Sequence, residues 1–215
     1  MGYLNQNCLF GRLTPEIIDQ CQPYACSKDT DIDSFFHNGT KDNYEDYRNE
    51  MMAYSHCFYT DVEQYNKEHP EEHVRPEMVC AFSLSNTALR TAPLPKPKRN
   101  LFNRTIPNAK RRSQYPAILI GQLCVFDNFN HLHIGGEVID LIKTMAIDGN
   151  RDFAARYLLV DAVNIPKVLS FYLENGFQFM FETEEEELEC LHKSPDSGCP
   201  TRMMFFDLIV LRDDA

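Results

Sequence analysis

The 215-residue chain lacks any apolar run near the roughly 18 residues that a membrane helix needs. Its opening stretch, MGYLNQNCLFGRL, sets no long apolar segment behind a basic cluster. Neither a membrane span nor an export leader is therefore expected, and the expected location is cytoplasmic. Paired cysteines are missing too. Cys8, Cys21, Cys26, Cys57, Cys80, Cys124, Cys190 and Cys199 stand singly, several inside apolar runs. Reduced thiols in a core are the expectation, not a disulfide frame. Positive charge is scarce, with 21 Lys and Arg against 32 Asp and Glu and a net charge of −11. That balance works against unaided binding to a polyanion, whose phosphates need Lys and Arg to neutralise them. No internal repeat is visible either, so a solenoid is not expected.

What is present suits one folded domain over 1–215. The hydrophobic fraction of 43% is enough for a sizeable core, and the charged fraction of 25% is ordinary. Tyr44, Tyr47, Met51 and Tyr54 recur at spacings of three and four, which predicts a helix over 42–54. Ser55–Thr60 and Val79–Ser85 read as short strands. The stretch 91–116 holds five prolines and seven positive residues between Lys96 and Arg112, with no acid, and reads as an irregular basic insertion. Ala117–Phe126 (AILIGQLCVF) reads as a central strand buried on both faces, and Gly135–Asp148 as a helix with one apolar face. Tyr157–Val163 is a further strand, Pro166–Asn175 a helix opened by Pro and closed by Gly176, and Phe177–Met180 the start of another strand. Six glutamates within Glu182–Glu189 read as a solvated, repelling segment, and Arg202–Leu211 as the last strand. Strand and helix alternate, so the fold class is α/β with a mixed central sheet flanked by helices.

The segments IGQLCVFDNFNHLHIGGEVIDLIKTMA and YLLVDAVNIPKVLSFYLENGF together resemble the GNAT superfamily of acyl-CoA-dependent N-acetyltransferases. The resemblance covers about the last 100 residues well. Earlier in the chain, Asp31–Phe36 (DIDSFF), Tyr44 and Phe82-Ser83-Leu84-Ser85 look like the front half of members related to bacterial toxin acetyltransferases. The resemblance implies the GNAT fold, acetyl-CoA as cosubstrate, no metal, and an amine as acceptor. In that family a loop of pattern Q/R-x-x-G-x-G/A opens a helix whose N–H groups hold the CoA pyrophosphate. Asn130, His133 and Gly135 take the patterned positions here, and His131, Ile134 and Gly136 accompany them. A helix start suits this task because its first N–H groups lack partners and carry the positive dipole end. Only the last glycine of the pattern is kept. Asn130 donates a hydrogen bond without charge, and His133 carries a Cβ where glycine turns freely. The two histidines are also potential phosphate donors.

Phe171-Tyr172-Leu173-Glu174-Asn175-Gly176-Phe177 resembles the family's F-Y-x-x-x-G-F signature, whose tyrosine is the general acid. Attack by a neutral amine expels a CoA thiolate, which a phenol protonated at neutral pH can serve. Tyr172 is thus the implied acid; its plainer role is aromatic packing. The family's central strand holds the thioester and pantetheine with backbone groups, which points to Leu123, Cys124 and Val125. Asn164 matches an asparagine often found before the tyrosine helix, and its plainer role is a helix cap. No base is assigned; Asp127, Glu45 and a bound water are the candidates.

Other signals are weaker. His69-Pro-Glu-Glu-His73 matches an inverted zinc-protease string, but Pro70 inside it and a polar setting argue against a helix that presents two ligands. Cys190, His192 and Cys199 lack paired ligand spacing. Neither Cys57 nor Cys124 has the His and Asp partners of a nucleophile. The basic insertion is a solvated loop, or a flank of the cofactor entrance in which Lys110, Arg111 and Arg112 assist the phosphate loop. Toxin-like relatives use such surfaces to hold aminoacyl-tRNA, so tRNA is an alternative partner. A GNAT-fold binding protein without catalysis is the other alternative, and a homodimer through the last strands is a further expectation.

Overall fold

The computed structural model of the protein describes residues 2–37, 44–104, 113–148 and 154–211. Along the chain run α1 (Tyr3–Asn7), β1 (Cys8–Arg12), α2 (Pro15–Gln20), α3 (Thr30–Phe36), α4 (Tyr44–Asn49), β2 (Tyr54–Thr60), α5 (Glu63–Glu68) and β3 (Met78–Arg90). Then come α6 (Lys96–Arg104), β4 (Gln114–Val125), α7 (Ile134–Asp148), β5 (Tyr157–Val163), α8 (Pro166–Glu174), β6 (Gln178–Phe179), α9 (Glu184–Cys190) and β7 (Thr201–Asp207). The strands are hydrogen bonded in the order β1-β2-β3-β4-β5-β7-β6, and the pairs β1–β2, β2–β3, β5–β7 and β6–β7 are antiparallel. Backbone contacts divide the chain into two compact units, 1–85 with 120–141, and 86–119 with 142–215.

The first unit is built around one apolar face. Thr14 accepts the Ile17 N–H and starts α2 ahead of Pro15, and Asp29 accepts from Asp31 and Ile32 to start α3. These short helices bring Ile17, Ile18, Ile32, Phe35 and Phe36 onto Cys57, Met78, Ala81, Cys124 and Phe126. Arg75 caps the far end of α2 by donating to the carbonyls of Asp19, Gln20 and Cys21. Glu137, in the first turn of α7, accepts the Tyr3 N–H at 2.9 Å and the Leu4 N–H at 3.0 Å, which anchors α1.

His56, in β2, is only 9% exposed and stacks on Phe10 and Phe82, with ring centroids 5.7 and 5.3 Å away. Its Nδ1 has no hydrogen-bond partner. Burial, with Arg12 alongside, pushes its pKa down to about 4. Folding therefore disfavours the protonated ring, so the stability present above the ordinary pKa near 6.5 is lost as pH falls through about 4. His56 alone is expected to remove about 3 kcal/mol between pH 7 and pH 4. Denaturant melts of His56→Phe, which keeps the stack and removes the proton site, should show a correspondingly shallower acid slope than the parent protein.

The second unit packs Leu89, Leu94, Phe102, Tyr115, Tyr157, Leu159, Met180, Phe181 and Phe205 together. Pro166 occupies the first turn of α8, where its missing N–H costs nothing. Gly176 follows that helix at φ +82°, and a Cβ there would lie 3.0 Å from the Phe206 ring, so only glycine fits.

Several elements differ from the sequence expectations. Of the predicted helix over 42–54, the described residues form a helix over Tyr44–Asn49, and Tyr54 already belongs to β2; residues 42 and 43 lie outside the described residues. β4 alternates between buried and more open positions instead of being covered on both faces. The basic stretch is not irregular throughout: Lys96–Arg104 is a helix whose Phe102 enters the core, although Lys110, Arg111 and Arg112 lie outside the described residues. The glutamate run is a helix too. Thr183 accepts the Glu186 N–H, four acids sit in the first turn where the helix dipole favours them, and Glu187 is buried. The last strand ends at Asp207, and a 3-10 turn takes over from Leu208.

Candidate functional site

In the first unit the expected cofactor residues form one continuous strand, turn and helix. β4 delivers Leu123, Cys124 and Val125, a 3-10 turn spans Asp127–Phe129, and Asn130–His133 turn the chain into α7. Cys124 is buried in the core, so at this position the backbone, not the thiol, is what a ligand along the strand would meet. Just upstream, the Ser83 hydroxyl accepts the Gln122 N–H at 2.9 Å and lies 2.6 Å from where a Cβ on Gly121 would stand. Sequence reasoning missed this pair. Its available signal was a glycine inside an apolar run, which often marks close approach of another group.

Asp127 fixes the turn. Its carboxylate accepts from the Ser27 N–H at 3.1 Å, from the Ser27 hydroxyl and from Asn130 Nδ2 at 3.2 Å. These donors hold its carboxyl below the usual range. A carboxylate so engaged serves better as a loop anchor than as a base. Glu45, the other candidate, pairs with Arg48 at 3.4 Å. Asn130 spends its amide on Asp127, while His131 and His133 are exposed and Ile134 is buried beneath the turn.

His133 adopts φ +55°, a left-handed conformation that glycine reaches most easily. The turn thus keeps the backbone shape without the residue that makes it easiest. Left-handed backbone costs an L-residue about 1–2 kcal/mol, although histidine tolerates it better than most. His133→Gly is expected to raise stability by up to about 1 kcal/mol, and His133→Val to lower it by about 1–2 kcal/mol, read as opposite shifts of the urea midpoint. Beyond the turn, Ile134, Gly135 and Gly136 open α7, and the first N–H groups of a helix have no intrahelical partner. That is the chemistry of an anion site.

The second unit carries Asn164 and Tyr172. Asn164 follows β5, and its amide donates to the Cys199 carbonyl at 2.8 Å and to Glu184 at 2.9 Å. It is not the helix cap; Ile165 occupies that position without a side-chain bond. Tyr172 lies on α8, 6% exposed, with its ring against Phe171 and Phe177 at 5.0 and 5.3 Å. Burial pushes its phenol up to about 12. The group therefore presents an O–H throughout the neutral range.

The His69–His73 string lies beyond α5, with His69 stacked on Tyr65 and His73 at φ +42°, so its residues do not share a helical face. Among the described residues no group of three or more His, Cys, Asp and Glu side chains is placed to hold a metal ion. All eight cysteines are free. Among the described residues no helix is long and apolar enough to cross a membrane.

No protein-family model and no curated protein matches the chain. Solved structures do. A tyrosine-to-phenylalanine mutant of KacT aligns with a TM-score of 0.66 at 12% identity, covering 96% of this chain and 98% of that one. AtaT complexed with acetyl-methionyl-tRNAfMet aligns at 0.65 and 12%, covering 95% and 96%. AtaTR bound with AcCoA aligns at 0.63 and 14%, again covering 95% and 96%. At such identities the likeness shows the fold, and it is the GNAT fold over nearly the whole chain.

Proposed function

We propose that this protein is an acetyl-CoA-dependent N-acetyltransferase that passes the acetyl group directly to an amine. The observation that carries the reading is the left-handed turn at His133, because a phosphate loop would need that backbone shape whichever residue supplies it. In this reading the N–H groups of Ile134, Gly135 and Gly136 meet the pyrophosphate, with His131 and His133 as further donors and Asn130 holding the turn to Asp127. Backbone groups of Leu123, Cys124 and Val125 hold the pantetheine and the thioester carbonyl. The Asn164 side-chain NH2 is engaged by the Cys199 carbonyl and by Glu184 of α9, so its part is to fix the chain ahead of α8.

The amine nitrogen attacks the thioester carbon, a C–N bond forms, and the carbonyl oxygen takes up negative charge. Collapse breaks the C–S bond, the electron pair leaves on sulfur, and the nitrogen gives up one proton to water as the amide forms. Tyr172 donates its O–H to that sulfur. A phenol near 12 lies above an ordinary thiol near 8.5, so the hydrogen bond stabilises the departing thiolate more readily than a completed proton transfer would.

The acceptor has a second reading, an aminoacyl-tRNA, favoured by α6. That helix presents Lys96 and Arg99 to solvent, and one structural neighbour is a complex with acetyl-methionyl-tRNAfMet. Titration with acetyl-CoA in a calorimeter, then thiol release with small amines, peptides and charged tRNA, tests the whole scheme. Binding with turnover on one acceptor class supports transferase activity and identifies that class. Binding without turnover on any acceptor would favour a GNAT-fold binding protein, and absence of binding would remove acetyl-CoA from the account.

A further inference from the structure

One dipeptide of α1 touches both ends of the turn that leads into α7. At the near end the Tyr3 ring packs on Phe129, with centroids 6.1 Å apart and planes tilted by 50°. At the far end Glu137, in the first turn of α7, accepts the Tyr3 N–H on Oε1 at 2.9 Å and the Leu4 N–H on Oε2 at 3.0 Å. Along the chain, Asn130–His133 and the left-handed His133 fall between these two points of attachment. α1 is itself held. Leu4 is buried, the Leu4 carbonyl accepts the Cys8 N–H, and the Asn7 carbonyl accepts the Asp61 N–H at 2.9 Å, just beyond β2. Gly2 completes the fit, because a Cβ there would collide with the Glu137 carboxylate.

We propose that Glu137 is a positioning residue for the cofactor: its carboxylate clamps the Tyr3–Leu4 backbone across the turn and so keeps the N–H groups of Ile134, Gly135 and Gly136 in phosphate-binding geometry. This role rests on the acetyl-CoA reading given above and adds to it a residue that touches neither ligand nor reacting atoms. An acid in the first turn of a helix is favoured by the dipole alone, but the dipole does not require both oxygens to be spent on a separate segment. Two charge-assisted bonds make that attachment firm. A left-handed non-glycine residue persists only where its surroundings restrain it, and the contacts at Phe129 and Glu137 supply that restraint on both sides of His133. The clamp also engages a charge. A free carboxylate this near a phosphate-binding helix start would repel its ligand, whereas here each oxygen faces an N–H donor.

The test is calorimetric titration of the full chain with acetyl-CoA, and with ADP as a ligand that carries the pyrophosphate without the pantetheine. Glu137→Ala should weaken both by a common factor of about 2–30-fold, the range of coupling through residues that do not touch the ligand. Glu137→Gln keeps one acceptor oxygen and should fall between the parent and Glu137→Ala; binding tighter than the parent would show repulsion outweighing the clamp and overturn the assignment. Gly2→Ala leaves Glu137 in place but pushes its carboxylate off α1, so it should weaken both ligands while urea unfolding stays cooperative. Hydrogen exchange on the unliganded protein gives a reading without the cofactor. The Tyr3 and Leu4 amides should exchange faster in Glu137→Ala, together with residues 130–136. Faster exchange confined to Tyr3 and Leu4 would reduce Glu137 to an anchor of α1. Variants that bind both ligands as tightly as a binding parent, or that lose acetyl-CoA affinity but keep ADP affinity, would overturn the role of Glu137 alone. A parent that binds no acetyl-CoA would remove the transferase reading and this role with it.

Discussion

Tyr172→Phe is expected to lower kcat by about 10²–10⁴-fold, the usual worth of a positioned proton donor, with little change in acetyl-CoA affinity. The substitution keeps the ring that Phe171 and Phe177 enclose and removes one oxygen, so the fold should persist. The pH profile gives an independent reading. Because burial pushes the phenol up to about 12, Tyr172 stays protonated and active until the pH nears that value. No alkaline loss of rate should therefore come from this group below about pH 11. Single-turnover thiol release on both proteins, with acetyl-CoA affinity from calorimetry, separates chemistry from binding. Full activity in the phenylalanine variant would sink the acid assignment and leave the departing thiolate without a protein donor.

The second large effect concerns stability. Glu187 and Arg202 form a buried ion pair, with Nε donating to Oε2 at 2.8 Å and both side chains less than a tenth exposed. The pair is fully enlisted. Glu187 Oε1 accepts the Met203 N–H at 2.8 Å, Arg202 Nη2 donates to the Phe181 carbonyl at 3.1 Å, and the guanidinium lies 4.7 Å from the Phe179 ring centroid. Removing one charge strands the other in the interior, which typically costs about 3–5 kcal/mol. Glu187→Gln and Arg202→Met should each lose about that much in urea melts. The double variant Glu187→Gln with Arg202→Met should lose clearly less than the two singles together, since neither charge is then left uncompensated. Additive losses would mean that packing and the flanking backbone bonds, not the pairing of charges, hold α9 against β7.

Much of the second half was legible because local rules and tertiary packing agree there. Tyr157–Val163 combines apolar and β-branched residues, and its strand has the expected ends. Pro166 and Gly176 bracket α8 for reasons of φ and missing N–H groups that hold in any context. The glutamate run departs from the expectation because its capping outweighs its charge repulsion. Thr183 and Glu186 stand at the spacing of a capping box, and the acids that repel one another are favoured at a helix start. In the basic stretch the prolines suggest irregular chain, yet Pro97 falls in the first turn of α6, where proline is tolerated, and Phe102 supplies the buried contact that stabilises the helix.

At the candidate site the sequence by itself determined the strand, the helix, the tyrosine and the place of the turn, since each follows from periodicity, punctuation or a resembled motif within a few residues. Only the tertiary structure decided what those residues touch. It gave His133 the left-handed backbone that its side chain disfavours, tied Asp127 to Ser27 a hundred residues earlier, and engaged Asn164 with Cys199. It also buried Glu187 with Arg202. Hydrogen bonds between distant segments depend on how the chain closes on itself, and burial fixes which charged or polar groups must find a partner there. Neither is encoded in the spacing of neighbours along the chain.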